Sequence, residues 1–166
     1  VNLCFNSKEL GVGLGMNEDR TTLKCYLADT GLLYALAFKA TTEKQTVYQK
    51  VILGKLEMNE GMLMENMVAQ MLRANGHSLY FYANPDRKDK DNRRELDFLL
   101  AKNNITSRHN INVIEVKSGA RYTLSSLQKA KAKYGNMIHQ LIVLHTENLS
   151  TSDGIVYLPL YMTHLL

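Results

Sequence analysis

The order of periodic segments predicts a mixed α/β domain, a β-sheet flanked by helices in the order α-β-β-β-α-β from residue 56 onward. Three observations predict it. Residues 56–73 place Leu63, Met67 and Met71 on one helical stripe, with Met64 and Val68 beside them. Three strand-like runs follow, with short connections that favour antiparallel neighbours. The third and fourth runs are separated by a helical segment, which favours a parallel pair with a right-handed crossover.

Each element has its own signal. The first forty residues read as irregular. Their glycine-rich ELGVGLG (9–15) lacks the lysine and Ser/Thr of a phosphate-binding loop, so its glycines are assigned to turns. A short strand is expected at 23–27, then a helix beginning after Asp29 or Thr30, either of which can cap it. Polar residues 40–50 read as a loop or linker. The main helix over 56–73 stops at Asn75-Gly76. SLYFYAN (78–84) is aromatic-rich and ends before Pro85, as a strand does. A charged loop (85–94), a strand (95–102), a polar turn (103–110) and a strand (111–119) follow. An amphipathic helix over 124–134 ends at Gly135, and 138–144 is a fourth strand. The chain closes on a short fifth strand and a helix that Pro159 begins.

Composition narrows the function classes. The 166 residues are 45% hydrophobic, enough for a packed core and too many for disorder. The formal net charge of +4 permits an anionic partner without demanding one. Cys4 and Cys25 form no CxxC pair and the five histidines are scattered, so a reduced cytoplasmic protein without a zinc site is expected. Apolar runs fall short of the roughly 20 residues of a membrane span. No secretory leader is seen, and no membrane association is expected. The chain opens at Val1 in mid-pattern, so a fragment of a longer protein is expected.

The acidic residues carry the chemical signal. Strand alternation puts Glu95 and Asp97 on one face, with Leu96, Phe98 and Leu100 on the other. It likewise pairs Glu115 with Lys117, opposite Ile114 and Val116. If the two strands are neighbours, Asp97 and Glu115 lie side by side, where like charges repel unless a cation intervenes. Glu65 adds a third acid from an otherwise apolar helix. Such a set suits Mg²⁺, with Mn²⁺ as a substitute. Lys117 then serves either as the base or as a charge stabiliser. The competing reading of Glu115–Lys117 is a plain same-face pair. Glu95 is read as a strand-end surface charge or a supporting group. Arg87, Lys88, Arg93, Arg94 and Lys129 are candidate phosphate contacts, although three aspartates in the same loop blunt its field.

Glu65 on a helix, Asp97, and Glu115-x-Lys117 over this element order resemble the PD-(D/E)XK nuclease superfamily, with Leu96 where that label has proline. The resemblance implies a restriction-endonuclease-like core and acidic metal ligands Asp97, Glu115 and Glu65 with the Val116 carbonyl. Asp97, Glu115 and Lys117 would be catalytic, and DNA the substrate. YLADTGLL (26–33), GMLMENMVAQML (61–72), ELDFLL (95–100), IEVKSG (114–119) and LPLYMTHLL (158–166) together resemble the DUF4143 family. That resemblance implies the C-terminal part of a larger AAA+-type ATPase, with ATP bound only in an upstream part. Residues 1–50 would then be a connecting, winged-helix-like piece and 51–166 the nuclease-like domain. An active nuclease and an inactive binding or regulatory module both fit, and assembly into an oligomer is compatible with either.

Overall fold

The computed structural model describes residues 1–11, 13–38, 60–84, 94–102, 109–119 and 121–166. They form an eight-stranded mixed sheet with helices on both faces. The strands are β1 (Asn2–Ser7), β2 (Glu18–Tyr26), β3 (Leu79–Asn84), β4 (Arg94–Ala101), β5 (Ile111–Val116), β6 (Ile138–His145), β7 (Ser150–Ser152) and β8 (Ile155–Pro159). Their order across the sheet is β2-β1-β3-β4-β5-β6-β8-β7. The α-helices are α1 (Thr30–Phe38), α2 (Glu60–Ala74) and α3 (Ser125–Tyr134), with 3-10 turns at Leu14–Asn17 and Leu160–Leu165.

The central pairings follow the expected pattern. β3, β4 and β5 are successive antiparallel neighbours, and β6 runs parallel to β5 after α3. β8 adds a further parallel strand beside β6. The N-terminal segment departs from expectation. It is a hairpin, β1 antiparallel to β2, joined in parallel to β3 and therefore part of the same sheet. The strand expected at 23–27 is the end of the longer β2. Alternation was hard to see here because β2 is an edge strand whose residues 20–23 are all exposed. The expected division near residue 50 lies outside the described residues. The chain ends in a 3-10 turn rather than an α-helix.

Local signals explain the helix ends. Asp29 caps α1, its Oδ1 accepting the Leu32 N–H at 2.9 Å. At the end of α2, Gly76 adopts φ 87°, and the His77 N–H returns to the Leu72 carbonyl at 3.0 Å. Gly135 stays right-handed, so α3 ends without that motif.

Two apolar layers hold the sheet. Beneath α2, Val68, Ala69 and Leu72 pack on Phe98, Leu100, Ile114 and Val116. On the other face, Leu127 and Ala130 of α3 pack with Leu96, Leu99, Val113 and Val143. The buried stripe of α2 is therefore rotated from the expected one, leaving Met67 43% exposed. Asn66 takes an inward position because its side chain satisfies the Leu27 N–H at 2.8 Å and carbonyl at 3.1 Å. That bond ties α2 to the end of β2.

β4 also departs from simple alternation. Tyr80 pairs with Leu99 and Tyr82 with Leu96, so Phe81 alone faces both Asp97 and Phe98. This is a β-bulge. It sends Leu96 and Phe98 into opposite cores rather than one.

Leu72 is fully buried where α2 meets the sheet. Leu72→Ala is expected to lower stability by about 2–5 kcal/mol, read as a lower urea midpoint with an unchanged slope.

Candidate functional site

The bulge places Asp97 where β4 meets the end of β5. The ladder pairs Phe98 with Ile114. Beyond that pair the Asp97 carboxylate takes over, its Oδ2 accepting the Val116 N–H at 2.8 Å. Burial, then the charges of Glu115 and Glu65, push the Asp97 carboxyl up to about 7; the Val116 N–H and Lys24 act against this.

Glu115 and Lys117 share a face, as alternation requires, and Lys117 Nζ meets Glu115 Oε2 at 2.7 Å. Glu115 is buried, and its Oε1 has no hydrogen-bond partner among the described residues. Burial raises the Glu115 pKa, while the Lys117 ammonium opposes it. For Lys117, burial favours the neutral amine, but the Glu115 hydrogen bond and charge prevail and raise its pKa. Lys117 is thus an ammonium near neutral pH. The pair is an ion pair with only its Lys117 end reaching solvent.

Glu65 enters from α2, on the opposite side of the sheet from Glu115. Its Oε1 accepts hydrogen bonds from Lys24 Nζ at 2.9 Å and from the Tyr26 hydroxyl. Lys24 also meets Glu95 Oε1 at 2.8 Å. Glu95 is therefore linked to the acidic centre through Lys24. Burial, followed by the Glu65 charge, raises the Tyr26 pKa, which keeps the phenol a donor. Buried Cys4 lies in the same field, and burial pushes its thiol up to about 12.

The structure thus couples Asp97 to both Glu115 and Glu65 without drawing all three acids into one cluster. Among the described residues, no three His, Cys, Asp or Glu side chains come together closely enough to hold a metal ion. Asp97 and Glu115 with the Val116 carbonyl remain a donor set of the kind magnesium takes, since it keeps most of its shell as water and substrate oxygen. Two crowded carboxylates, one with an unpartnered oxygen, fit such a cation.

Arg94 is buried, its Nη1 donating to the Lys129 carbonyl at 3.3 Å and its guanidinium 6.0 Å from the Tyr134 ring. It supports the α3 packing instead of presenting a basic surface. Arg87, Lys88 and Arg93 lie outside the described residues, and Lys129 is half-buried on α3. Lys24 and Tyr26 escaped the sequence reading because nothing local ties them to an acid about forty residues away; their i, i+2 placement on one strand face was the only trace. No helix of the described residues is long and apolar enough to cross a membrane.

The family model of DUF4143, a domain of unknown function, matches residues 60–163. The chain belongs to the DUF4143 family. Comparisons with curated proteins and with solved structures found no match. The matched span of this DUF4143 chain runs from the start of α2 into the final 3-10 turn, and so contains Glu65, Asp97, Glu115 and Lys117.

The raised Asp97 pKa makes a signed prediction. Between about pH 4 and pH 7 the folded chain holds a proton on Asp97 that the unfolded chain has released, so this group's contribution to stability falls as pH rises through that window. Asp97→Asn keeps an acceptor for Val116 and abolishes the titration. Relative to wild type, the variant is expected to gain on the order of 1–4 kcal/mol on going from pH 4.5 to pH 8 in metal-free urea unfolding. The opposite trend would show a carboxylate held ionised.

Proposed function

We propose that this DUF4143 domain is a nuclease-like domain of the PD-(D/E)XK kind, acting on DNA phosphodiesters with Mg²⁺ or Mn²⁺. The observation that carries the proposal is the grouping at one strand junction of Asp97 on Val116, buried Glu115 with an unpartnered Oε1, and Lys117. Asp97, Glu115 and the Val116 carbonyl would hold the ion, with Glu65 contributing through its charge on Asp97. A bound divalent ion would supply charge neutralisation at the phosphate and a more acidic water.

The chain's own groups take defined parts. Lys117, held protonated by Glu115, donates to developing negative charge and does not serve as the base. Glu115 fixes the position of that ammonium through the 2.7 Å contact. The Glu115 charge opposes ionisation of Asp97, and a bound cation would offset the cost of keeping both ionised. Lys24 and Tyr26 keep Glu65 turned toward β2.

The domain is further proposed to be the C-terminal part of a larger AAA+-type ATPase whose other part binds ATP; the 166 residues contain no GxxxxGK[ST] run. A second reading, an inactive module that binds or regulates, is favoured by the internal pairing of Lys24 with Glu65 and Lys117 with Glu115. Lys117 there occupies an acid that a metal would need.

Incubation of the purified chain with linear, circular and single-stranded DNA and Mg²⁺ or Mn²⁺ separates the two readings. The nuclease reading expects metal-dependent cleavage that falls at least about 100-fold in both Asp97→Ala and Lys117→Ala. DNA binding without cleavage, unaffected by chelation, supports the module.

A further inference from the structure

Lys24 is a cation shared by two acids from different elements. Its register partner on β1 is Cys4, whose side chain lies in the layer beneath α2, so Lys24 projects from that same face. Its Nζ lies 2.9 Å from Glu65 Oε1 of α2 and 2.8 Å from Glu95 Oε1 of β4. The Phe81 ring of β3 is 5.1 Å from Nζ, within cation–π range. The Tyr26 hydroxyl, two residues further along the same strand face, donates to the same Glu65 oxygen. The Glu95 side chain is 58% exposed and those of Lys24 and Glu65 are each 24% exposed, so the group opens to solvent and an ion can reach it.

We propose that Lys24 is a positioning residue for metal binding: its ammonium stands where a divalent ion would otherwise bridge Glu65 and Glu95, and so limits the acidic centre to a single ion, at Asp97 and Glu115.

Three observations support it. Joining carboxylates from two separate elements is the work of a bound divalent cation, and here an ammonium performs it. Charge points the same way. Glu65, Glu95, Asp97 and Glu115, all ionised, set against Lys24 and Lys117, leave the centre short of the charge of one divalent ion and not of two. Lys24 is also not the strut that joins β2 to α2. Asn66 bonds the Leu27 N–H and carbonyl and the Thr30 hydroxyl, and Tyr26 packs on Phe98 with ring centroids 5.5 Å apart. Lys24 keeps its proton, because the charge of Glu65 and the hydrogen bonds to both acids outweigh burial, which favours the neutral amine. Glu65 then acts on Asp97 through its charge and stays out of the ion's shell. The inference rests on the proposed metal reading of Asp97 and Glu115 for the identity of the single ion.

The test is a titration of the 166-residue chain with Mn²⁺ alone, without DNA, the bound ions being counted by electron paramagnetic resonance. Wild type is expected to bind one ion. Lys24→Met keeps the stem over Phe81 and removes the charge, and is expected to bind a second ion, which Glu65→Gln in the same chain abolishes. Lys24→Arg is expected to remain at one. A folded Lys24→Met that gains no ion overturns the proposal, as does wild type that binds two. If Lys24→Met fails to fold, the wild-type count and Lys24→Gln, which also lacks the charge, decide. An ion that binds Lys24→Met through Glu65, in a protein whose wild type binds none, sustains Lys24 as the resident cation and sinks the metal-dependent nuclease reading. DNA cleavage by wild type carrying two ions sinks the role of Lys24 and leaves the nuclease reading standing.

Discussion

The hydrogen bond from the Val116 N–H to the Asp97 carboxylate organises the centre of this molecule. At the bulge β4 spends two residues against one of β3. A side chain replaces the backbone as acceptor for the end of β5, and the cost is a partly buried carboxylate. That carboxylate sits between Glu115 from its own sheet and Glu65 from α2, so its ionisation is opposed from both sides. A hydrophobic residue there would leave the Val116 N–H unsatisfied, and a regular strand would turn position 97 away from it. The bulge and the acid are therefore a single feature, of the kind that re-aims side chains next to functional sites.

Each lysine of the centre answers one acid. Lys24 reaches Glu65 and Glu95 from β2, and its Nζ also lies 5.1 Å from the Phe81 ring opposite the bulge. Lys117 answers Glu115. Asp97 receives a backbone N–H instead of a lysine, and burial raises its carboxyl to about 7, so it changes protonation near neutral pH. Burying these charges in separate pairs rather than as one cluster limits the desolvation cost, since each pair keeps an end toward water. The same division holds Glu65 apart from Glu115, across the sheet.

Much of this was legible in the sequence where period decided it. The same-face placement of Glu115 and Lys117 and the short β3–β4–β5 connections were enough for the pairing of the central strands, whereas the expected stripe of Leu63, Met67 and Met71 on α2 is rotated toward Val68 and Leu72. The Glu115–Lys117 contact followed from strand alternation alone. What was not legible depended on irregularity or distance. The bulge leaves no period in the sequence, so Phe98 and Leu96 were assigned to one face. Asn66 looks like a surface residue until the Leu27 backbone it serves is known. The N-terminal hairpin was missed because an edge strand with exposed residues shows no alternation, yet it delivers Lys24 and Tyr26.

The hairpin changes how the centre should be understood. β1 joins β3 in parallel, so residues from the start of the chain approach a bulge more than seventy residues away. Lys24 and Tyr26 then reach the acid on α2, while Asn66 one residue later holds the end of β2. Two neighbouring positions of one helix thus bind the same strand, by charge and by backbone hydrogen bonds. Shifting α2 along its axis would break both sets together, because they lie within about one turn of the helix. The N-terminal segment is in this sense part of the acidic centre, and the position of Glu65 is set as much by β2 as by the helix that carries it.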